Sequence, residues 1–213
     1  MLQKRADKDY SAQSLAQTEK FSFLSPDFYT LWNYRREIIT HMFESLDSTQ
    51  RLEMIQAELA LLLKGIGRSP KSYALWFHRQ WTIELGIKEE SKSSEWQSPI
   101  LEGELGLCSK FLQRDERNFH CWNYRLWVVE TYLSKIAAAN DDLTVRDDFL
   151  RKECEMAEKI IKKNFSNYSA WHYRGKLMPR LYERAVSRYV LPLERIQADL
   201  DMLKHAFFTD PND

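Results

Sequence analysis

The sequence predicts an all-α protein, an α-solenoid in which antiparallel helix pairs stack into a right-handed superhelix. Three observations support this fold class: few turn-forming residues, one tryptophan-centred motif that occurs four times, and apolar residues at helical spacing between the motifs. Glycine and proline number only six each among 213 residues, which suits a chain rich in helix. Hydrophobic residues make up 44% of the chain, enough to bury a core.

The repeated motif is Trp-x-aromatic-Arg, counting histidine as an aromatic ring. Its copies are centred on Trp32, Trp76, Trp122 and Trp171 and end at Arg35, Arg79, Arg125 and Arg174. Another ring lies three residues before each tryptophan, at Tyr29, Tyr73, Phe119 and Tyr168. Residues three apart are neighbours on a helix, so we expect ring, tryptophan and arginine to share one face. Pro26 and Pro70 precede the first two copies and are expected in the first helical turn.

Apolar residues between the motifs recur at steps of three and four, which is typical of amphipathic helices. The four series are Leu52, Ile55, Leu59, Leu62, Ile66; Leu101, Leu105, Cys108, Phe111, Leu112; Met156, Ile160, Ile161; and Leu193, Ile196, Leu200, Leu203, Phe207. Each repeat therefore holds an A helix and a motif-bearing B helix, in one domain over residues 1–213. Polar residues predict exposed loops at 86–99 and 138–142. Because Asp210-Pro211 resembles the approach to a further motif, we expect a fifth repeat that is truncated after Asp213.

The composition argues against several other classes of protein. Lysine plus arginine and aspartate plus glutamate both number 31, so no basic excess indicates a nucleic-acid partner. No apolar stretch is long enough for a membrane span. Three cysteines (108, 121 and 154) without a CxxC pair predict reduced, packed thiols, and no histidine pattern predicts a metal site on this chain. We expect a cytoplasmic protein.

The period of 44 to 49 residues, with a Trp-x-x-Arg motif in every copy, resembles the repeat of protein prenyltransferase α subunits. Tetratricopeptide repeats are shorter, and HEAT and armadillo repeats of similar length lack this motif. Residues 115–122, 164–174 and 206–213 are most similar to the Rab geranylgeranyltransferase branch. The α subunit shared by farnesyltransferase and type I geranylgeranyltransferase is the alternative. That subunit has a glutamine, which helps hold a peptide carboxylate, where this chain has Ala74, a side chain with no donor.

The resemblance implies a transferase subunit that is inactive alone. With a catalytic β subunit, which holds the zinc and the geranylgeranyl diphosphate, it would support geranylgeranyl transfer to C-terminal cysteines of Rab proteins presented by an escort protein. Lys71 matches the lysine that approaches the diphosphate, where an ammonium stabilises developing negative charge. Tyr73 and His120 match residues on the same substrate-binding rim. We expect the four tryptophans and four arginines of the motif to have a structural role. The tryptophans would fill the space between helices, and the arginines would brace carbonyls and loops. A helical adaptor without an enzymatic partner is the other alternative.

Overall fold

The computed structural model describes residues 1–89, 97–134, 143–187 and 193–209, and every regular element in these ranges is a helix. The helices are α1 (Leu2–Ala6), α2 (Ala12–Leu24), α3 (Tyr29–Ser45), α4 (Ser48–Arg68), α5 (Tyr73–Glu89), α6 (Gln97–Arg114), α7 (Phe119–Tyr132), α8 (Leu143–Lys163), α9 (Tyr168–Ser187) and α10 (Leu193–Thr209). The predicted all-α class is confirmed. The chain forms two compact units, Met1–Gln97 and Ser98–Asp213. The single domain and the superhelical handedness stay predictions.

Each tryptophan motif begins a helix, as expected, and the first helical residue is the ring three positions before the tryptophan. The predicted place of the prolines was wrong. Pro26 and Pro70 lie in the turns that precede α3 and α5, not in the first helical turn. Their carbonyl oxygens have a structural use instead, since each accepts a hydrogen bond from the following tryptophan.

Helices pack as the predicted A–B pairs within each unit. In the first unit α2 packs on α3 and α4 on α5, and in the second unit α8 packs on α9. The B helices also contact their neighbours, α3 with α5 and α7 with α9. The inner edges of the predicted stripes, such as Leu62, Ile66 and Ile161, are fully buried. Burying such side chains is the main favourable contribution to folding.

The first A helix, α2, was difficult to predict because its buried side is polar. Its buried residues are Ser14, Thr18 and Ser22, spaced four apart. Small hydroxyl side chains allow a close approach to α3, and Thr18 satisfies its own hydroxyl by donating to Leu15 O at 2.7 Å. A side chain oxygen of Ser11 accepts from Ser14 N at 3.2 Å and caps the helix.

The predicted loop at 86–99 was wrong at both ends. Helix α5 continues to Glu89 and α6 begins at Gln97, and residues 90–96 lie outside the described residues. The predicted loop at 138–142 and the Asp210-Pro211 turn also lie outside them.

The last described helix, α10, differs from the other A helices because its apolar stripe is exposed. Leu193, Leu203 and Phe207 each expose half or more of their surface, and Leu200 nearly half. Periodicity therefore predicted the helix correctly, but not the burial of its stripe in this chain. Among the described residues, no helix is both long enough and apolar enough to cross a membrane.

Candidate functional site

Each motif tryptophan anchors the turn that precedes its own helix. The indole Nε1 donates to the carbonyl oxygen six residues earlier at 2.7 to 2.9 Å, in the pairs Trp32–Pro26, Trp76–Pro70, Trp122–Glu116 and Trp171–Phe165. The first three indoles are almost completely buried. A buried donor that finds its acceptor avoids the cost of an unsatisfied polar group, so the motif fixes both the helix and the turn before it.

All four motif arginines are buried, and three of them bind a carbonyl oxygen of an A helix. Nη1 of Arg35, Arg79 and Arg125 donates to Leu15 O, Leu59 O and Leu105 O at 2.9, 2.9 and 2.7 Å, each twenty residues earlier. Bracing of carbonyls was predicted. Two of these arginines also make contacts that were not predicted, two-pronged ion pairs with buried glutamates. Arg35 binds Glu58 through Nε and Nη2, both at 2.6 Å, and Arg125 binds Glu153 at 2.8 and 2.7 Å.

The buried glutamates also accept a hydrogen bond from the ring between Trp and Arg in their own repeat. His78 Nε2 lies 2.7 Å from Glu58 Oε1, Tyr124 donates to Glu104 Oε2 at 2.8 Å, and Tyr173 donates to Glu153 Oε2 at 2.5 Å. Glutamate and ring are twenty residues apart in all three copies. This constant spacing is a sequence signal that could have identified the acids.

Electrostatics of the buried groups follow from these contacts. Burial alone would raise the pKa of Glu58, but hydrogen bonds from Arg35 and His78 outweigh it and lower that pKa to about 2. Burial, together with the nearby Arg35 and Arg36 charges, lowers the pKa of His78 despite the favourable contact with Glu58. Burial and the Glu153 charge both raise the pKa of Tyr173. At neutral pH, therefore, Glu58 is ionised and the His78 and Tyr173 rings are neutral.

The rings three residues before the tryptophans are exposed, whereas the tryptophans and arginines that follow them are largely buried. Tyr29 and Tyr73 in the first unit expose 48% and 57% of their surface, and Phe119 and Tyr168 in the second expose 45% and 70%. They lie in the first turn of each B helix, while the tryptophan and arginine lie further along and turn inward. Exposed aromatic rings at repeated positions are typical of a surface that binds a partner.

In the second unit, two of these rings border a groove. Its volume is about 180 Å³, and it lies between the first turns of α7 and α9. The groove is lined by Phe119, Trp122, Asn123, Leu126, Tyr168, Ser169, His172 and Tyr173. Trp122 and Tyr173, which form its floor, pack with ring centroids 5.0 Å apart.

The turns that present these surfaces are joined to each other within each unit. Ser72 lies before α5, and its hydroxyl donates to Asp27 Oδ1 at 2.7 Å in the turn before α3. Asn167 lies before α9, and its amide donates at 2.8 Å to Glu116 O in the turn before α7. Ser72 and Asn167 also cap their own helices by accepting from Leu75 N and Ala170 N.

The three predicted site residues are divided between the two units. Lys71 is exposed in the turn before α5, and Tyr73 is the exposed first residue of α5. Ser72 between them is buried and fixes this turn. His120 in the second unit is buried, with its ring centroid 4.0 Å from that of Phe119. Their roles stay predictions.

No group of three histidine, cysteine, aspartate or glutamate residues suited to hold a metal ion occurs in the described part of the chain. All three cysteines are buried free thiols, as predicted from their spacing. Cys121 Sγ lies 3.5 Å from Cys108 O, and burial raises the pKa of Cys108 well above its usual value. These thiols are packing groups in the core of the second unit.

Comparison with known proteins agrees with the geometry. The family model "Protein prenyltransferase alpha subunit repeat" matches residues 11–42, 55–85, 101–132 and 150–181, which together make up more than half of the chain. The chain belongs to the protein prenyltransferase α subunit family. Each match contains one motif tryptophan, its buried arginine and all or part of the A helix before them, so the family repeat and the structural repeat coincide.

Curated relatives in this family carry the name "Geranylgeranyl transferase type-2 subunit alpha". The protein from Rattus norvegicus is 35% identical over 215 residues, and that from Homo sapiens is 34% identical; both matches include all of this chain. The protein from Candida albicans is 29% identical over 231 residues, covering 98% of this chain. The chain spans about a third of the mammalian α subunits and three fifths of the Candida protein.

Removing the charge of Glu153 should strongly destabilise this α-subunit chain. In Glu153→Gln the Arg125 guanidinium keeps its buried position but loses its anionic partner, which costs about 3–5 kcal/mol for a buried pair. Urea unfolding would measure the change in free energy. Glu155→Gln, at an exposed position on the same helix, is the matched control and should change stability by less than about 0.5 kcal/mol. Equal effects of the two substitutions would contradict the buried pair.

Stability should depend on pH through His78. The fold favours the neutral ring, so its folded pKa lies below the unfolded value of 6.5. His78 therefore stabilises fully above about pH 6.5, and this contribution is lost as pH falls below that value toward the folded pKa. In His78→Tyr, which installs the ring found in the other repeats, unfolding free energy should fall less between about pH 7.5 and pH 5.

His172→Tyr removes an exposed imidazole and serves as the control. Its pH profile should follow that of the unsubstituted chain. A His78→Tyr profile as steep as the unsubstituted one would show that His78 does not titrate with folding.

Proposed function

We propose that this chain provides the α-subunit repeats of a type-2, or Rab, geranylgeranyltransferase and assembles with a β subunit. The observation that carries the proposal is the repeated site itself: four motif helices that each begin with an exposed ring. In each copy the motif tryptophan binds the turn before its helix through its indole N–H. The similar proteins from Rattus norvegicus and Candida albicans carry the type-2 name, which supports the choice of the type-2 branch of the family.

In this proposal the β subunit performs most of the transfer chemistry. The β subunit holds the zinc and the geranylgeranyl chain, and the zinc binds the acceptor cysteine as its thiolate. That cysteine belongs to a Rab protein presented by an escort protein. This chain supplies a rigid docking surface and one cation, Lys71, at an exposed turn. The ammonium of Lys71 stabilises the negative charge that the diphosphate gains as it leaves. The chain alone transfers no prenyl group.

The position of Ala74 supports the type-2 branch over the α subunit shared by the two other prenyltransferases. Ala74 is almost completely buried in the first turn of α5, and its side chain carries no hydrogen-bonding group. It therefore offers nothing to the carboxylate of a short C-terminal peptide. An assay of the assembled enzyme distinguishes the two branches. The type-2 branch predicts that it prenylates a Rab–escort complex but not a short prenylation peptide.

Docking of the β subunit should depend on the exposed first-turn rings. Tyr168→Ala removes the most exposed of the four rings without touching the core. Because aromatic side chains dominate binding energy at interfaces, we expect affinity for a type-2 β subunit to fall by about tenfold or more, equivalent to about 1.4 kcal/mol. Calorimetric titration of purified subunits would measure it.

Val145→Ala, at an exposed apolar position on the A helix α8, is the control and should change affinity less than about twofold. An equal loss for both variants would argue for a different docking face. Failure of the unsubstituted chain to bind any prenyltransferase β subunit would instead favour the adaptor function.

Lys71→Ala should lower the rate of prenyl transfer more than it weakens Rab binding. The lysine acts on charge that develops only in the transition state, so its loss should appear in the single-turnover rate. We expect a decrease of about tenfold or more in the assembled enzyme. Lys64→Ala, an exposed position on α4, is the charge-matched control. An unchanged rate with normal assembly would make Lys71 an ordinary surface residue and leave the docking proposal intact.

A further inference from the structure

Arg36 differs from its neighbour Arg35 because it has no carboxylate partner. Both lie in α3, and Arg35 is fully paired with Glu58. Among the described residues, the direct contacts of the Arg36 guanidinium are to neutral groups. Nη2 donates to Asn33 Oδ1, and Nη1 lies 3.4 Å from His78 Nδ1. Cζ of Arg36 lies 5.1 Å from the centroid of the Phe77 ring. A half-buried guanidinium is thus held in place without being neutralised.

The tautomer of His78 explains why this contact leaves the charge uncompensated. Nε2 of His78 faces the Glu58 carboxylate at 2.7 Å, and a carboxylate can only accept, so Nε2 carries the proton. Nδ1 then presents a lone pair to Arg36, whose guanidinium can only donate. Partial burial lowers the pKa of Arg36, although the nearby Glu37 charge acts in the opposite direction, so burial of this guanidinium carries a cost. An anion would relieve that cost.

Arg36 lies on the wall of a polar cleft of about 500 Å³ in the first unit. Tyr10 and Trp81 supply aromatic walls, and Asn33 and Thr40 supply uncharged polar groups. The remaining lining residues are Arg5, Glu37, His41 and Glu44.

The other guanidinium of this cleft, that of Arg5, is already paired with a carboxylate. Arg5 binds both oxygens of Glu37, with Nε at 3.1 and 3.0 Å and Nη2 at 2.5 Å. His41 and Glu44 are both largely exposed, with His41 Nδ1 3.8 Å from Glu44 Oε2. Arg36 is therefore the cationic group of the cleft that remains for a ligand.

We propose that this cleft is an anion-binding site in which the guanidinium of Arg36 binds a carboxylate or phosphate group. The fork of N–H donors matches the two oxygens of either group, and Asn33, His78 and Phe77 fix its orientation before the ligand arrives. The aromatic walls favour an anion borne on an apolar or planar group. Neither the Lys71 turn nor the first-turn rings line this cleft, so the site stands independently of the proposed transferase role.

Titration of the purified chain with inorganic phosphate and, separately, with acetate tests the proposal through the Nε–H resonance of Arg36. We expect a saturable shift. Arg36→Gln should weaken binding of the effective anion by tenfold or more. Arg68→Gln is the matched control, because Arg68 also lies over a phenylalanine ring, Phe23 at 5.5 Å, but is exposed at the end of α4. It should retain affinity within twofold.

Asn33→Asp provides a second variant that keeps Arg36 in place. The new carboxylate lies where Asn33 Oδ1 already accepts from Arg36, so it should neutralise the guanidinium internally and abolish anion binding while the melting temperature is maintained or raised. If phosphate binds tenfold more tightly than acetate, the ligand is a phosphoryl group. If the two affinities are comparable, the ligand is a carboxylate. Absence of a saturable shift with both anions, or unchanged affinity in Asn33→Asp or Arg36→Gln, would overturn the site.

Discussion

The two-pronged pair between a motif arginine and a glutamate on the next A helix is the contact on which the rest of each unit depends. Removing both charges from water is costly, and an ion pair alone does not repay that cost unless further hydrogen bonds satisfy the remaining atoms. Both complete copies meet this condition: Glu58 also receives His78, and Glu153 also receives Tyr173. Because the arginine belongs to one helix pair and the glutamate to the following pair, the ion pair couples consecutive repeats.

This buried frame explains how exposed residues can be presented in fixed positions. Each tryptophan ties the turn before its helix to the core, and the Ser72–Asp27 and Asn167–Glu116 contacts tie successive turns together. First-turn rings and the Lys71 turn are therefore mounted on backbone that is already ordered. A surface of this kind loses little conformational entropy when a partner binds, which suits a subunit whose task is docking.

The sequence was sufficient to predict the helical fold, but it predicted the candidate functional site only in part. The tryptophan period and the apolar stripes predicted nearly every helix, but Glu58 and Glu153 resembled ordinary solvated acids because their partners lie 23 and 28 residues away in the sequence. Spacing also did not reveal that the first-turn rings are exposed: residues three apart are neighbours on a helix, yet Tyr73 is exposed while Trp76 is buried. In α2, buried serine and threonine gave no apolar signal at all. The role of Lys71 came from family resemblance and not from its surroundings.

The second repeat has a histidine where the other three have tyrosine, and the geometry gives this difference a consequence. A tyrosine ring has one polar atom, which Tyr173 uses on its glutamate. His78 has two, so it contacts Glu58 with Nε2 and Arg36 with Nδ1. It thereby connects a buried ion pair to a guanidinium at the wall of an open cleft. A second proton on His78 would face the Arg36 guanidinium directly, so protonation of this ring would bring two like charges together at a contact of 3.4 Å.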